Sequence, residues 1–347
     1  MTVSNLTSTR RAVLRGGLAL AGAAAFSPRM IRAADAWDFV RAEITGAEAN
    51  LPTGAALLVL TRDQTLFREA FGPALMQVPV LLASASMGAS AMAIAALVDQ
   101  GVFRLDDRLS AYIPAFESAN KAITIRQCLA HTSGLADPGN LLTPPEKDPG
   151  VTLEEEVDRA AKKKPAAKPG ERFAFGGMSY QAAGRAAEVA GGIAWELLFK
   201  QTIDDPLGAS FTFGETPDPR LAAGASASVD SYGAVLRCIL NDGEFNGARV
   251  LSKAMVKELR TNQIDKAAPA TPVAAGVKAQ GYGLGWWLEE LDDKGVAKRI
   301  NAAGVFGTVP WIDFDKGYAA ILLMNATQKT GEHLAAKIRP MIEATLG

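Results

Sequence analysis

Residues 81–101 read LLASASMGASAMAIAALVDQG, and the fold turns on how this stretch is read. From Ala70 through Val98 there is no charged residue, and Ala, Met, Ile, Leu and Val predominate, with Ser and Gly at the start. A helix that is apolar all round belongs in a protein core or a membrane. Pro73 and Pro79, together with Ser84, Ser86, Gly88 and Ser90, suit a spanning segment poorly, so Leu81–Gly101 is expected to be a buried helix that Gly101 stops. A serine on its first turn would sit among free backbone N–H groups at the positive end of the helix dipole, where a nucleophile is well placed.

Working outward, residues 1–36 read as an address. Arg10-Arg11 precedes the short uncharged run Gly16 to Phe26, and Ala34-Asp35-Ala36 supplies small residues suited to cleavage. This pattern predicts a twin-arginine export signal, a mature chain starting near Trp37 and a periplasmic location. The alternative, a basic amphipathic first helix, is opposed by an apolar run that shows no face. About 310 residues remain, enough for one large domain. With 36 basic and 37 acidic residues the formal net charge is −1, which argues against nucleic acid or an anionic membrane as partner. No spacing of Cys, His and carboxylates suggests a metal site, no glycine-rich phosphate loop is present, and no cofactor is expected. Cys128 and Cys238 are the only cysteines, and spacing alone leaves open whether they pair.

A helix is expected over Ala36–Ala47, then a hairpin of Gly54–Thr61 and Leu66–Phe71 around Arg62-Asp63-Gln64. Helices are expected over 123–135, 154–164, 182–191, 195–203, 231–240 and 332–346, and strands over 283–289, 308–314 and 318–324. Residues 136–150 form a Pro/Gly/Asp-rich loop. Strands at both chain ends with helices between them imply an α+β domain whose sheet is built from both termini.

Several motifs recur in one order: Leu97-Val-Asp-Gln-Gly101, Arg104-Leu-Asp-Asp-Arg-Leu109, His131-Thr-Ser-Gly-Leu135, Lys168-Pro-Gly-Glu-Arg-Phe173, Asn241-Asp-Gly-Glu-Phe-Asn-Gly247, Gly281-Tyr-Gly-Leu-Gly-Trp286 and Gly317 to Asn325. In this the chain resembles the serine β-lactamase-related family, which includes class C β-lactamases, penicillin-binding peptidases and related esterases. The resemblance spans nearly the whole mature chain. It implies an antiparallel sheet flanked by terminal helices, with a sheet lobe of about 37–75 and 245–347, and an inserted helical lobe of about 76–244.

The family's chemistry needs a serine nucleophile, a lysine one turn later to take its proton, a tyrosine to relay protons, and a His or Lys motif on a neighbouring strand. A neutral hydroxyl is a weak nucleophile without such a base. Family spacing back from Gly101 puts the nucleophile at Ser84, so the lysine position is Met87, and a thioether cannot act as the base. Shifting the register to Ser86 or Ser90 supplies no lysine, and the first lysine in the chain is Lys121. The tyrosine motif falls on Phe175 and Gly177; Tyr180 matches a separate family position expected to pack. In the third motif Ala302 stands where His or Lys belongs, while Gly304 and Gly307 keep the turn and one oxyanion-hole N–H. His131 belongs to a segment that is structural in the family.

Each positioned acid or base contributes about 10²- to 10⁴-fold in rate, and members of a catalytic unit fail together. The expectation is therefore a non-catalytic homologue whose pocket, lined by Met87, Phe175 and Ala302, takes a small acyl or peptide-like ligand or a periplasmic protein partner. The competing expectation is a serine hydrolase or acyl transferase that uses Ser84 with a base relocated to His131 or to Lys162, Lys163 or Lys164. A scaffold with a collapsed pocket is the third.

Overall fold

The computed structural model describes residues 33–72, 76–117, 122–137, 150–214, 217–264, 268–269 and 279–346. Most of the expected leader and of the 136–150 loop, and Lys121, lie outside the described residues. The first described helix, α1, is Ala33–Gly46, beginning three residues ahead of the expected Ala36.

Strand β1, Ala55–Thr61, carries AALLVLT and is buried along nearly its whole length. Alternation divides it between two cores: Ala56, Leu58 and Leu60 face one, Ala55, Leu57 and Val59 the other. A strand covered on both faces reads as a continuous apolar run, and β1 is accordingly central. On one side it pairs antiparallel with β2, Thr65–Phe71, as the hairpin predicts, and on the other with Tyr318–Met324. The seven-stranded antiparallel sheet runs 281–282, 287–291, 297–301, 309–313, 318–324, β1, β2, so both ends of the chain build it. The α+β architecture and its two-ended sheet are as the sequence implies.

Helix α1 and the C-terminal helix Gln328–Glu343 cover the outer face, and Val229–Leu240 packs on the inner face against β1 and Tyr318–Met324. A Cβ at Gly233 would lie 2.2 Å from Leu58 Cδ2, so the glycine lets this helix ride close to the sheet. Truncating a buried leucine such as Leu58 costs about 2–5 kcal/mol, so this contact is a substantial part of the inner core.

Four expectations are corrected. The central helix α2 is Ser86–Asp99, not Leu81–Gly101. Leu81 pairs with Ser226 in a short strand, Leu82 N–H donates to Ala225 O, and Ala83–Ala85 forms a 3₁₀ turn before α2 begins. Second, the helix expected over 123–135 is only Ile125–Leu129, because His131 takes φ +56° and breaks it. Third, Trp195–Phe199 continues as a π-helical turn, Lys200–Asp204. Fourth, the expected 283–289 strand is Trp287–Leu291 together with the short Gly281–Tyr282, and a further strand, Ala297–Asn301, was not evident from the sequence.

Residues Ser86 to Leu97 of α2 are all buried. The helix docks on the turn between Gly281–Tyr282 and Trp287–Leu291 through small residues. A Cβ at Gly88 would lie 2.7 Å from Trp286 Cζ2, and one at Gly285, whose φ is +86°, would lie 2.8 Å from Met87 O. Only glycine permits this approach, and it brings the start of α2 against the end of the sheet. Among the described residues no helix is long and apolar enough to cross a membrane.

Candidate functional site

The 3₁₀ turn Ala83–Ala85 holds Ser84, a residue 6% exposed. Ala83 occupies the left-handed region at φ +48°, a conformation that costs a non-glycine residue about 1–2 kcal/mol. Surrounding contacts hold the turn in place. Tyr232 Oη donates to Ala85 O at 2.8 Å, Ala225 N–H donates to Ser86 Oγ at 3.1 Å, and Ser90 Oγ donates to Leu221 O at 2.8 Å. From the opposite side Gly304 approaches so closely that a Cβ there would lie 2.3 Å from Leu82 O and 3.5 Å from Ala85 N. The turn ahead of α2 and the segment after Ala297–Asn301 therefore pack directly against each other.

Met87 is 1% exposed, and Tyr282 Oη lies 3.8 Å from its sulfur. Ala302 is buried on the inner face. Phe175 is half-buried and stacks on Trp287, with ring centroids 5.2 Å apart. Gly177 sits just ahead of helix Met178–Gly191, where its carbonyl accepts from Tyr180 N–H at 3.0 Å. The turn expected at Gly304 and Gly307 is present: Gly304 N–H donates to Thr308 O at 2.8 Å and Gly307 N–H to Gly304 O at 3.0 Å.

No described side chain hydrogen-bonds the Ser84 hydroxyl. Lys162, Lys163 and Lys164 are exposed beyond the end of helix Leu153–Ala161. His131 is buried among Phe175, Tyr180 and Tyr282, at ring-centroid distances of 4.6, 5.2 and 5.0 Å. Its Nδ1 accepts from Gly176 N–H at 3.4 Å, which puts the proton on Nε2, and burial lowers its pKa to about 3. Tyr180 donates to Leu129 O at 3.1 Å, and burial holds the Tyr180, Tyr232 and Tyr282 phenols above the ordinary value. Near neutral pH these groups are uncharged, so none is a phenolate or imidazolium.

Two features of this region were not visible in the sequence: the strained Ala83, since alanine does not advertise a left-handed residue, and the Tyr282–Met87 contact, since it joins distant segments. Cys128 and Cys238 are free buried thiols. Among the described residues no group of three or more His, Cys, Asp or Glu could hold a metal ion.

The Beta-lactamase family profile matches residues 44–341, and the chain belongs to that family. A Bacteroides dorei DSM 17855 protein described as a beta-lactamase shares 27% identity at a TM-score of 0.79, covering 88% of this chain and 98% of that one. EstCE1, a hydrolase with promiscuous acyltransferase activity, aligns with TM-score 0.70 at 18% identity over 90% of this chain and 99% of its own. The octameric penicillin-binding protein homologue from Pyrococcus abyssi aligns with TM-score 0.69 at 19% identity over 87% and 75%. The last two likenesses are of fold. No curated protein matches the chain.

Proposed function

We propose that this chain is an exported, non-catalytic relative of the serine β-lactamases, in which the inherited site holds a small acyl or peptide-like ligand, or a periplasmic protein partner, without turning it over. The observation that carries this reading is the set of side chains at the positions that family spacing assigns to the catalytic groups. Met87, Phe175 and Ala302 stand at the base, relay and third-motif positions, and none carries a titratable group. A hydroxyl needs a base within hydrogen-bond reach, about 2.6–3.2 Å, and the uncharged His131 and Tyr282 are packed among other rings. The leader is residues 1–36 and the mature protein one domain, 37–347; replacing Arg10 and Arg11 by Lys and locating the protein by cell fractionation tests export.

The catalytic question is tested with a chromogenic cephalosporin, a short-chain chromogenic ester and a fluorophosphonate probe, each against wild type and Ser84→Ala. The reading expects no turnover above the Ser84→Ala background. Robust turnover that Ser84→Ala abolishes would overturn it.

The second reading is a serine hydrolase or acyl transferase using Ser84, and one observation favours it. Among the described residues no side chain hydrogen-bonds the Ser84 hydroxyl, and Ser84 lies beside the strained Ala83, a kind of strain that clusters at active sites. EstCE1, which shares this fold, is a hydrolase with promiscuous acyltransferase activity, and this supports the second reading. Intact-mass spectrometry after exposure to an activated ester separates the two, since an adduct confined to Ser84 supports this reading.

A further inference from the structure

On the outer face of the sheet a cavity of about 310 Å³ opens between the strands and the C-terminal helix. Asn301 and Ala303 line it, and strand alternation turns Ala302 between them to the opposite, inner core. This cavity therefore lies behind the Ser84 site, separated from it by the sheet.

Its ionisable lining consists of Glu289, Arg299, Glu332, Arg339 and Glu343. Four of these are locked in partnerships. Arg339 Nη1 donates to both Glu289 oxygens at 3.1 and 3.0 Å while its guanidinium lies 4.9 Å from the Trp311 ring centroid, and Glu289 also accepts from Asn301 Nδ2 at 2.7 Å. Arg299 donates to Asp313 at 3.0 and 2.6 Å and reaches Glu343 at 3.5 Å, and Glu343 is further held by Lys316 and Tyr318. Glu332 is different. Its carboxylate accepts only the Gln328 amide, at 2.7 Å, and no cation pairs with it among the described residues.

The lining thus holds three carboxylates against two guanidiniums; behind it Asp313 and Lys316 cancel each other, and Glu290, 3.5 Å from Arg299, adds a further negative charge. Negative charge is in excess, and Glu332 is the lining carboxylate that no described cation pairs with. Arg299 and Arg339 cannot swing across to neutralise it without leaving a partly buried carboxylate unpaired, which is strongly unfavourable. Ala303 and Ala335 stand where larger side chains would fill the interface between sheet and helix, so the space is kept open by small residues.

We propose that this cavity binds a small organic ammonium ion, its charged head on the Glu332 carboxylate and its apolar body against Ala303, Val309 and Ala335. Burial raises the pKa of Glu332, so its charge is under-compensated in the free protein, and an ammonium donates the hydrogen bonds that the carboxylate lacks. The flanking groups belong to two strands and a helix and are cross-linked by hydrogen bonds, so the site is organised before the ligand arrives.

The test is calorimetric titration of the full chain with n-butylammonium chloride at low ionic strength and pH 7, with n-butanol as the uncharged analogue. Saturable binding of the ammonium and none of the alcohol is expected. Glu332→Gln weakens the ammonium about tenfold or more through loss of the charge-assisted hydrogen bond. Ala336→Leu, at an exposed position on the rim, does the same by filling the mouth, and Ser84→Ala leaves the affinity unchanged. The proposal is overturned if wild type shows no saturable binding, if Glu332→Gln and Ala336→Leu bind as well as wild type, if the alcohol binds equally, or if Ser84→Ala removes the binding.

Discussion

Replacing His131 by Asn removes a buried imidazole that the fold holds neutral, and the consequence is a change in how stability depends on pH. Asn suits the position because it tolerates the left-handed conformation His131 adopts and offers an acceptor for Gly176 N–H. In the native protein burial lowers the His131 pKa from its ordinary 6.5 to about 3. Between those values the unfolded chain binds a proton that the native chain does not, so this residue makes stability fall as pH drops below 6.5. The slope is about 1.4 kcal/mol per pH unit once the unfolded imidazole is charged, and the change between pH 6.5 and 4.5 comes to about 2 kcal/mol. Carboxyl groups raised by burial act the other way. Asp204, pushed up to about 6, favours the native state at low pH and loses that contribution as pH rises through its folded value. The wild-type profile alone therefore mixes opposing slopes, and the informative quantity is the difference between wild type and His131→Asn. Urea unfolding of both proteins from pH 4.5 to 7 gives it directly. Asn should add a constant packing cost and flatten the acid loss. Parallel curves across this range would refute the reasoning that His131 is held neutral.

Other substitutions probe the turn that carries Ser84. Gly304→Ala drives a methyl into Leu82 O and should destabilise by about 1–3 kcal/mol in urea unfolding. Tyr232→Phe leaves the Ala85 carbonyl without its side-chain partner and should cost about 1–2 kcal/mol, with little change in m-value. Met87→Lys places an amine at a position only 1% exposed; it should lower the midpoint of thermal unfolding and, with Phe175 and Ala302 unchanged, yield no ester turnover in a chromogenic assay.

The parts of the fold legible in the sequence are those whose residues respond to burial on all sides. Residues 86–97 carry no polar face because none is solvated, and β1 reads as a continuous apolar run because both its faces are covered. The strand Ala297–Asn301 escaped notice for the opposite reason: Lys298 and Arg299 interrupt it, and only the structure shows Arg299 satisfied by Asp313 on the neighbouring strand. The start of α2 was misplaced because Leu81 and Leu82 suit a helix as well as a strand, and their pairing with Ser226 and Ala225 is a long-range choice. Positions 84, 87, 175, 177, 302 and 304 are assigned by family spacing alone. Their surroundings, above all Tyr282 on Met87 and the donated Gly304 amide, depend on contacts between segments far apart in the chain.

The pairing of β1 also governs the order in which the molecule can be assembled. During synthesis β2 emerges within a few residues of β1, but Ala55 must wait for Met324, and Thr61 for Tyr318, before the other edge of β1 is closed. Until then a long apolar strand has an open hydrogen-bonding edge, which invites pairing with other chains. Loss of the last thirty or so residues would therefore remove both the partner strand and the C-terminal helix covering it, leaving a hairpin prone to aggregate in place of a shortened domain.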